Sequence, residues 1–213
     1  MYMLSEFQLE TSTPLLPARR CGCHRRGHEA TNACIQDVQP GAGVNRWWLS
    51  IFAAVFIWSA IRPADFPTWI LEVMPAVLGL LVLLLTRRTF PLTPLAYQLI
   101  LVHCIILMVG GHYTYAHVPL FDWIRDVFEL QRNNYDKVGH FAQGFIPALL
   151  AREILIRKDV VIGAAWRNFM VVCFALALSA FYELLEWTVA EISGEAAEAF
   201  LATQGYVWDT QSD

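Results

Sequence analysis

From Trp47 onward the chain is organised as five apolar runs, at about 47 to 61, 68 to 85, 95 to 111, 139 to 156 and 168 to 190. Each is near the length needed to cross roughly 30 Å of hydrocarbon at about 1.5 Å per residue. Inside a bilayer no water satisfies a backbone N–H or C=O, and at these lengths only a helix closes all of its own hydrogen bonds. The alternating pattern of a barrel strand is absent. The sequence therefore predicts an all-α fold, a polytopic transmembrane helical bundle of about five spans over 46–213, behind a flexible cytosolic tail at 1–45. Pro63, Pro67, Pro91 and Pro94 fall in connections, whereas Pro75 and Pro147 sit inside spans and predict kinks there.

Composition supports the same solvent. Hydrophobic residues make up 56% of the 213 positions and charged residues only 16%, which is too apolar for an ordinary soluble domain. The formal charge of -4 and the scattering of basic residues in short clusters exclude the electrostatic footprint of nucleic-acid binding. Several Trp residues, among them Trp47, Trp69, Trp123, Trp166 and Trp187, fall near span ends, where amphipathic rings favour the headgroup layer.

The first 45 residues carry no sustained apolar period. The cluster Arg19, Arg20, Arg25, Arg26 is not followed by an apolar core and cleavage site, so a secretory signal is not expected. Cys21, Cys23, His24, His28 and Cys34 match none of the usual zinc spacings.

Orientation follows from Lys and Arg in the short connections. Arg19, Arg20, Arg25, Arg26 and Arg46 precede the first span, Arg87 and Arg88 separate the second and third, and Arg157, Lys158 and Arg167 separate the fourth and fifth. The opposite side holds Arg62, Arg125, Arg132 and Lys137, diluted by Asp122, Asp126, Glu129 and Asp136. The expected topology puts the N-terminus inside and the C-terminus outside.

Against this frame the segment Phe181-Tyr182-Glu183-Leu184-Leu185-Glu186-Trp187 stands out, because it sets two carboxylates within a span. A charge in hydrocarbon is penalised by several kcal/mol unless it is paired, protonated or facing water. Glu183 and Glu186 share a helix face, and counting from Asn168 places Glu183 roughly 22 Å along the span, in its outer half. The fourth span runs the other way, so Asp136 and His140, an i,i+4 pair, lie at its outer mouth with Gln143 one turn deeper. Asp209 in the outer tail can fold back to the same level, and Glu72, His112 and His117 map to it as well.

Each group also has a structural reading. Carboxylates at a helix end bind neighbouring helices as ordinary polar glue, and Asp136 near a helix N-terminus is favoured on electrostatic grounds alone. The Glu183–Glu186 pair is harder to explain so, since two close carboxylates in low dielectric repel unless a proton, cation or basic partner is shared. Asp136, His140, Glu183, Glu186 and Asp209 are therefore the candidate catalytic set, and His140, Glu183 and Glu186 the candidate ligands of a divalent metal. Glu153 falls on the far side of its helix from His140 and is expected to pair with Arg157. His103 is expected to be a neutral, hydrogen-bonded mid-span histidine, and Cys104 and Cys173 small core hydrophobes. A short interfacial helix is expected through Trp123, Ile124, Val127, Phe128 and Leu130.

The runs Asn134-Tyr135-Asp136-Lys137-Val138-Gly139-His140-Phe141-Ala142-Gln143-Gly144-Phe145, Ser179-Ala180-Phe181-Tyr182-Glu183-Leu184-Leu185-Glu186-Trp187 and Tyr206-Val207-Trp208-Asp209-Thr210-Gln211 together resemble the YjdF family of bacterial inner-membrane proteins, over roughly residues 47 to 213. That family is of unknown function. A looser similarity extends to VanZ-like membrane proteins, which share an Asp-Lys-x-x-His-Phe type segment opening a helix. The resemblance implies one more transmembrane helix after the Trp-Asp-Thr-Gln segment, so this chain, ending at Asp213, is expected to lack it.

Two classes of function follow. One is a membrane-embedded hydrolase or transferase acting on an envelope lipid or lipid-linked precursor through a general acid-base set or a metal. The other is a small transporter or scaffold in which the same residues bind protons or cations, or hold helices together. A serine hydrolase is disfavoured because no Gly-x-Ser-x-Gly elbow occurs.

Overall fold

The computed structural model describes residues 44–193. The tail cysteines and histidines at 21–34, and Asp209, lie outside the described residues. Within them the chain forms six helices and no strand: α1 Arg46–Ser59, α2 Phe66–Thr86, α3 Pro94–Tyr113, α4 Pro119–Val127, α5 Tyr135–Arg157 and α6 Ala164–Ser193.

The helix starts are written locally. Asn45, Asp65 and Thr93 stand in extended conformation just before α1, α2 and α3, and their side chains accept the backbone N–H of Trp48, Thr68 and Ala96 respectively. These bonds satisfy donors that a helix N-terminus otherwise leaves open. Prolines follow in the first turns of α2, α3 and α4, where a missing N–H costs nothing. α5 begins at Tyr135, four residues before the apolar run proper, because Asp136 and Lys137 are polar but helical.

Each of the five apolar runs is a helix. α2, α3 and the Ala164–Val189 part of α6 are long and apolar enough to cross a membrane. α1 is apolar but has 14 residues, about 21 Å, and α5 has 23 residues but is more polar. The expected interfacial helix is α4, which starts earlier than the aromatic pattern suggested and buries no residue. Phe128 and Leu130 lie beyond its end.

α3 is the centre of the bundle. It packs against α1, α2 and α5, while α6 packs on α5. Tyr97, Ile100, Cys104, Leu107, Met108 and Gly111 form its buried stripe at helical spacing, and α2 answers with Trp69, Glu72, Val73, Ala76 and Leu83. Because lipid is as apolar as these side chains, close packing rather than the hydrophobic effect has to hold the helices together. Small residues supply it. A Cβ on Gly111 would approach that of Glu72 to 3.0 Å, so α2 and α3 meet there at near-backbone distance.

Polar contacts fix the two ends. At the Arg87 end, Trp48 Nε1 donates to the Tyr97 carbonyl at 2.8 Å, tying α1 to α3. Glu153 there pairs with Arg157 at 2.8 Å, as its spacing implied. It also accepts both the backbone N–H and the hydroxyl of Thr93 at 2.9 Å, which pins α5 to the start of α3. The Nε2 of His103 is buried and meets no hydrogen-bond partner among the described residues, and the side chain lines a cavity.

Candidate functional site

The opposite end, where α3 and α6 finish and α2 and α5 begin, gathers the acidic and histidine residues. Among the described side chains of α6, those that escape full exposure are Arg167, Val171, Ala175, Leu178, Ser179, Tyr182, Glu183, Glu186 and Val189. Their spacing of three and four marks one stripe, and the neighbours Phe181, Leu184, Leu185 and Trp187 are exposed on the other faces. Both glutamates therefore sit on the stripe that faces protein.

α5 supplies the partner. His140 Nδ1 lies 3.5 Å from Glu183 Oε1, with the two side chains only 16% and 17% exposed. One ligand atom each from His140, Glu183 and Glu186 can be chosen so that all lie within 4.8 Å of one another. Two ligands about 2.0–2.1 Å from a tetrahedral ion stand about 3.3 Å apart. Small side-chain rotations would close that difference, and one imidazole with two carboxylates is a donor set that suits zinc and other borderline divalent ions. Gln143, one turn further along α5, is buried, and among the described residues its Nε2 has no hydrogen-bond partner.

Asp136 is placed elsewhere. It is 3% exposed, pairs with Arg132 one turn earlier and accepts the backbone N–H of Lys137 at 2.8 Å. It is not a member of the His140 cluster. The sharing of a helical face with His140 is real, but the basic residue four positions before it claims the carboxylate first. His112 is also structural, its Nδ1 meeting the Ser59 carbonyl at 2.9 Å and its ring 4.6 Å from that of Trp58. His117 is exposed.

Glu72 is the buried acid of this end. The Tyr115 hydroxyl donates to its carboxylate. Tyr115 follows the last turn of α3 with φ 54, as does Thr114 before it, a left-handed pair that turns the chain back over the helix end. Its N–H bonds the Gly110 carbonyl at 2.8 Å. The ring lies so close to Gly110 that a Cβ there would overlap it, and close against Gly139 of α5 as well. Burial first, and then the Glu72 charge, hold the Tyr115 phenol well above the usual tyrosine range, so it stays a donor. Tyr182 of α6 lies within electrostatic reach of both Glu72 and Glu186, linking the buried acid to the His140 cluster. The sequence reading gave Tyr115 and Tyr182 no role. The glycines facing Tyr115 were the available signal, since a bundle places glycine where another group comes close.

The connection from α4 to α5 is built on Asn133, which is 0% exposed. Its Nδ2 donates to the Val118 carbonyl at 3.0 Å and to Asp122 at 3.1 Å, and its Oδ1 accepts the N–H of Tyr135 at 3.1 Å. That fixes where α5 starts and so the height at which His140 stands.

A family model described as a predicted membrane protein family (DUF2238) matches residues 44–213. The chain belongs to this family. It is also similar to the inner membrane protein YjdF of Escherichia coli (strain K12), at 52% identity over 159 residues, covering 75% of this chain and 76% of that protein. No solved structure matches. Both matches support the first of the two resemblances read from the sequence, and neither supports the VanZ-like one. This DUF2238 chain is thus a multi-pass protein of the inner membrane, and its polar cluster lies in the part of the chain that the family model covers.

Proposed function

We propose that this is a five-span inner-membrane protein, N-terminus inside, that holds a divalent cation at its outer face through His140, Glu183 and Glu186. The observation that carries the reading is the meeting of these three side chains, from two helices, on protein-facing surfaces of otherwise apolar segments. One imidazole and two carboxylates with ligand atoms within 4.8 Å of one another are a donor set that a divalent cation bridging α5 and α6 would suit. The outward direction rests on the basic residues Arg46, Arg87, Arg88, Arg157, Lys158 and Arg167 at the other end.

Among the described residues three ligands group together, and a three-ligand set with an open position is the pattern of catalytic rather than structural zinc. This favours a metal-assisted reaction on an envelope lipid or lipid-linked precursor over a plain scaffold. The Tyr182, Tyr115 and Glu72 groups beside the cluster would serve there as proton donors and acceptors.

The test is zinc content and affinity of the detergent-purified full chain. One ion per chain is expected, and loss of it in His140→Ala and in the Glu183→Gln, Glu186→Gln double variant. Retention of the same zinc in both variants, or no zinc in the parent protein, would leave the cluster as interhelical glue between α5 and α6.

A further inference from the structure

A cavity of about 490 Å³ lies between α2, α3 and α5, within the range of about 300–1,000 Å³ typical of small-molecule sites. Its walls collect residues that helices avoid: Pro75 and Gly79 of α2 and Pro147 of α5. A proline inside a helix removes a hydrogen bond and bends the segment, and a glycine there weakens it relative to alanine. Three such residues around one space are explained if the space itself is wanted. Gly79 adds to the room directly, because a Cβ on it would meet nothing within 4 Å.

The lining is apolar except at its ends. His103, near the middle of α3, lies one turn short of the deepest α3 residue in the lining, Leu107, and Thr86, Phe90 and Lys158 bound the other end. From Pro75 to Thr86 the α2 wall runs about 16 Å, close to the roughly 15 Å depth of one leaflet's hydrocarbon. At the mouth, Arg157 and Lys158 lie over the Phe90 ring, at 4.1 Å and 5.3 Å from its centroid. Arg157 is already committed to Glu153 and to the Pro91 carbonyl. Lys158 is exposed and, among the described residues, forms no ion pair.

We propose that this cavity holds one acyl chain of an anionic phospholipid drawn from the leaflet at the Lys158 end, with the phosphate at Lys158 and the chain running toward His103. The site is at the other end of the bundle from the His140 cluster and does not rest on the cation reading. An apolar channel one leaflet deep, with an exposed lysine at its mouth, matches a charged head on a long apolar tail.

The test uses the full chain in nanodiscs of equal phosphatidylglycerol and phosphatidylethanolamine, extracted into detergent, with retained lipid counted by native mass spectrometry. The parent protein is expected to keep one phosphatidylglycerol per chain. Gly79→Phe fills the cavity and should abolish retention, while Gly79→Ala should keep it. Lys158→Gln, at an exposed position, should lower the preference for phosphatidylglycerol about fivefold. His103→Phe should leave retention intact, since a chain and not a polar group is recognised at that depth. Unchanged retention in Gly79→Phe, equal retention of both lipids by the parent, loss in His103→Phe, or a free fatty acid as the retained species would each overturn the proposal.

Discussion

Tyr115, in the loop after α3, packs its ring against Gly139 of α5 so closely that a Cβ at position 139 would stand 2.9 Å from its Cε1. The same ring fills the space over Gly110. Replacing either glycine by alanine should therefore force the ring or the helix to move, at about 1–3 kcal/mol of overpacking strain. Gly79→Ala provides the contrast: with open space at its Cβ, it should be neutral or stabilising by up to about 1 kcal/mol. Thermal unfolding in one detergent would rank the three, and a Gly139→Ala variant as stable as Gly79→Ala would contradict the packing described.

Tyr115 also sets a pH expectation. Its phenol is held above its ordinary value of 10.0 by burial and by the Glu72 carboxylate. The neutral form is thus the one the fold favours, and this contribution is complete below about pH 10 and disappears as pH rises past it. Unfolding monitored from pH 8 to 11.5 should show stability falling at the alkaline end. Tyr115→Phe should flatten that fall, while lowering stability near neutrality by about 1–3 kcal/mol because Glu72 loses its hydrogen-bond donor. An alkaline limb of equal steepness in Tyr115→Phe would assign the effect to other groups.

Asn133 offers a test away from the bundle interior. Its side chain bonds Val118 at the entry to α4, Asp122 within α4 and Tyr135 at the start of α5, and the residue has no exposed surface. Asn133→Ala takes the acceptor from the Tyr135 N–H, while the Val118 carbonyl keeps the N–H groups of Phe121 and Asp122, so the change should cost about 1–3 kcal/mol for the one buried group left bare. Limited proteolysis should then cut near residues 119–134 before any other described connection. A cleavage pattern like that of the parent would show that the segment is held by other contacts.

What the sequence made legible, and what it did not, divides along physical lines. Helix existence was readable because hydrocarbon forbids any other backbone at Phe66–Thr86 or Pro94–Tyr113. The i,i+4 pairing of Glu153 with Arg157 was readable because it is local. The meeting of His140 with Glu183 was reached by counting rise per residue along antiparallel helices, which fixes depth but not rotation. Rotation came from packing that the sequence does not declare: the stripe Leu178, Tyr182, Glu186 faces α5 only because α6 docks there. The same limit explains Asp136, whose height was right but whose partner, Arg132, was decided by a turn geometry that no periodicity records. It also explains Tyr115, which reaches Glu72 through two consecutive left-handed residues.

That difference between Asp136 and His140 gives the last prediction. Asp136 and Arg132 are both largely buried, with side chains 4% and 11% exposed, and they pair with each other at the start of α5. A buried hydrogen bond to a charged group contributes about 1.5–3 kcal/mol, and the Arg132–Asp136 pair loses that contribution when the carboxylate is neutralised. Asp136→Asn, which keeps the shape and loses the charge, should therefore lower the unfolding temperature substantially. It should leave zinc stoichiometry as in the parent protein when measured well below that temperature, because the carboxylate is not among the three grouped ligands. His140→Ala should do the reverse: its ring is half-buried beside Glu183, so its removal is tolerable to the fold but takes away the one nitrogen donor among the described ligands. If Asp136→Asn abolished zinc binding without loss of stability, Asp136 would belong to the cation site, and its pairing with Arg132 would have to open when the ion binds.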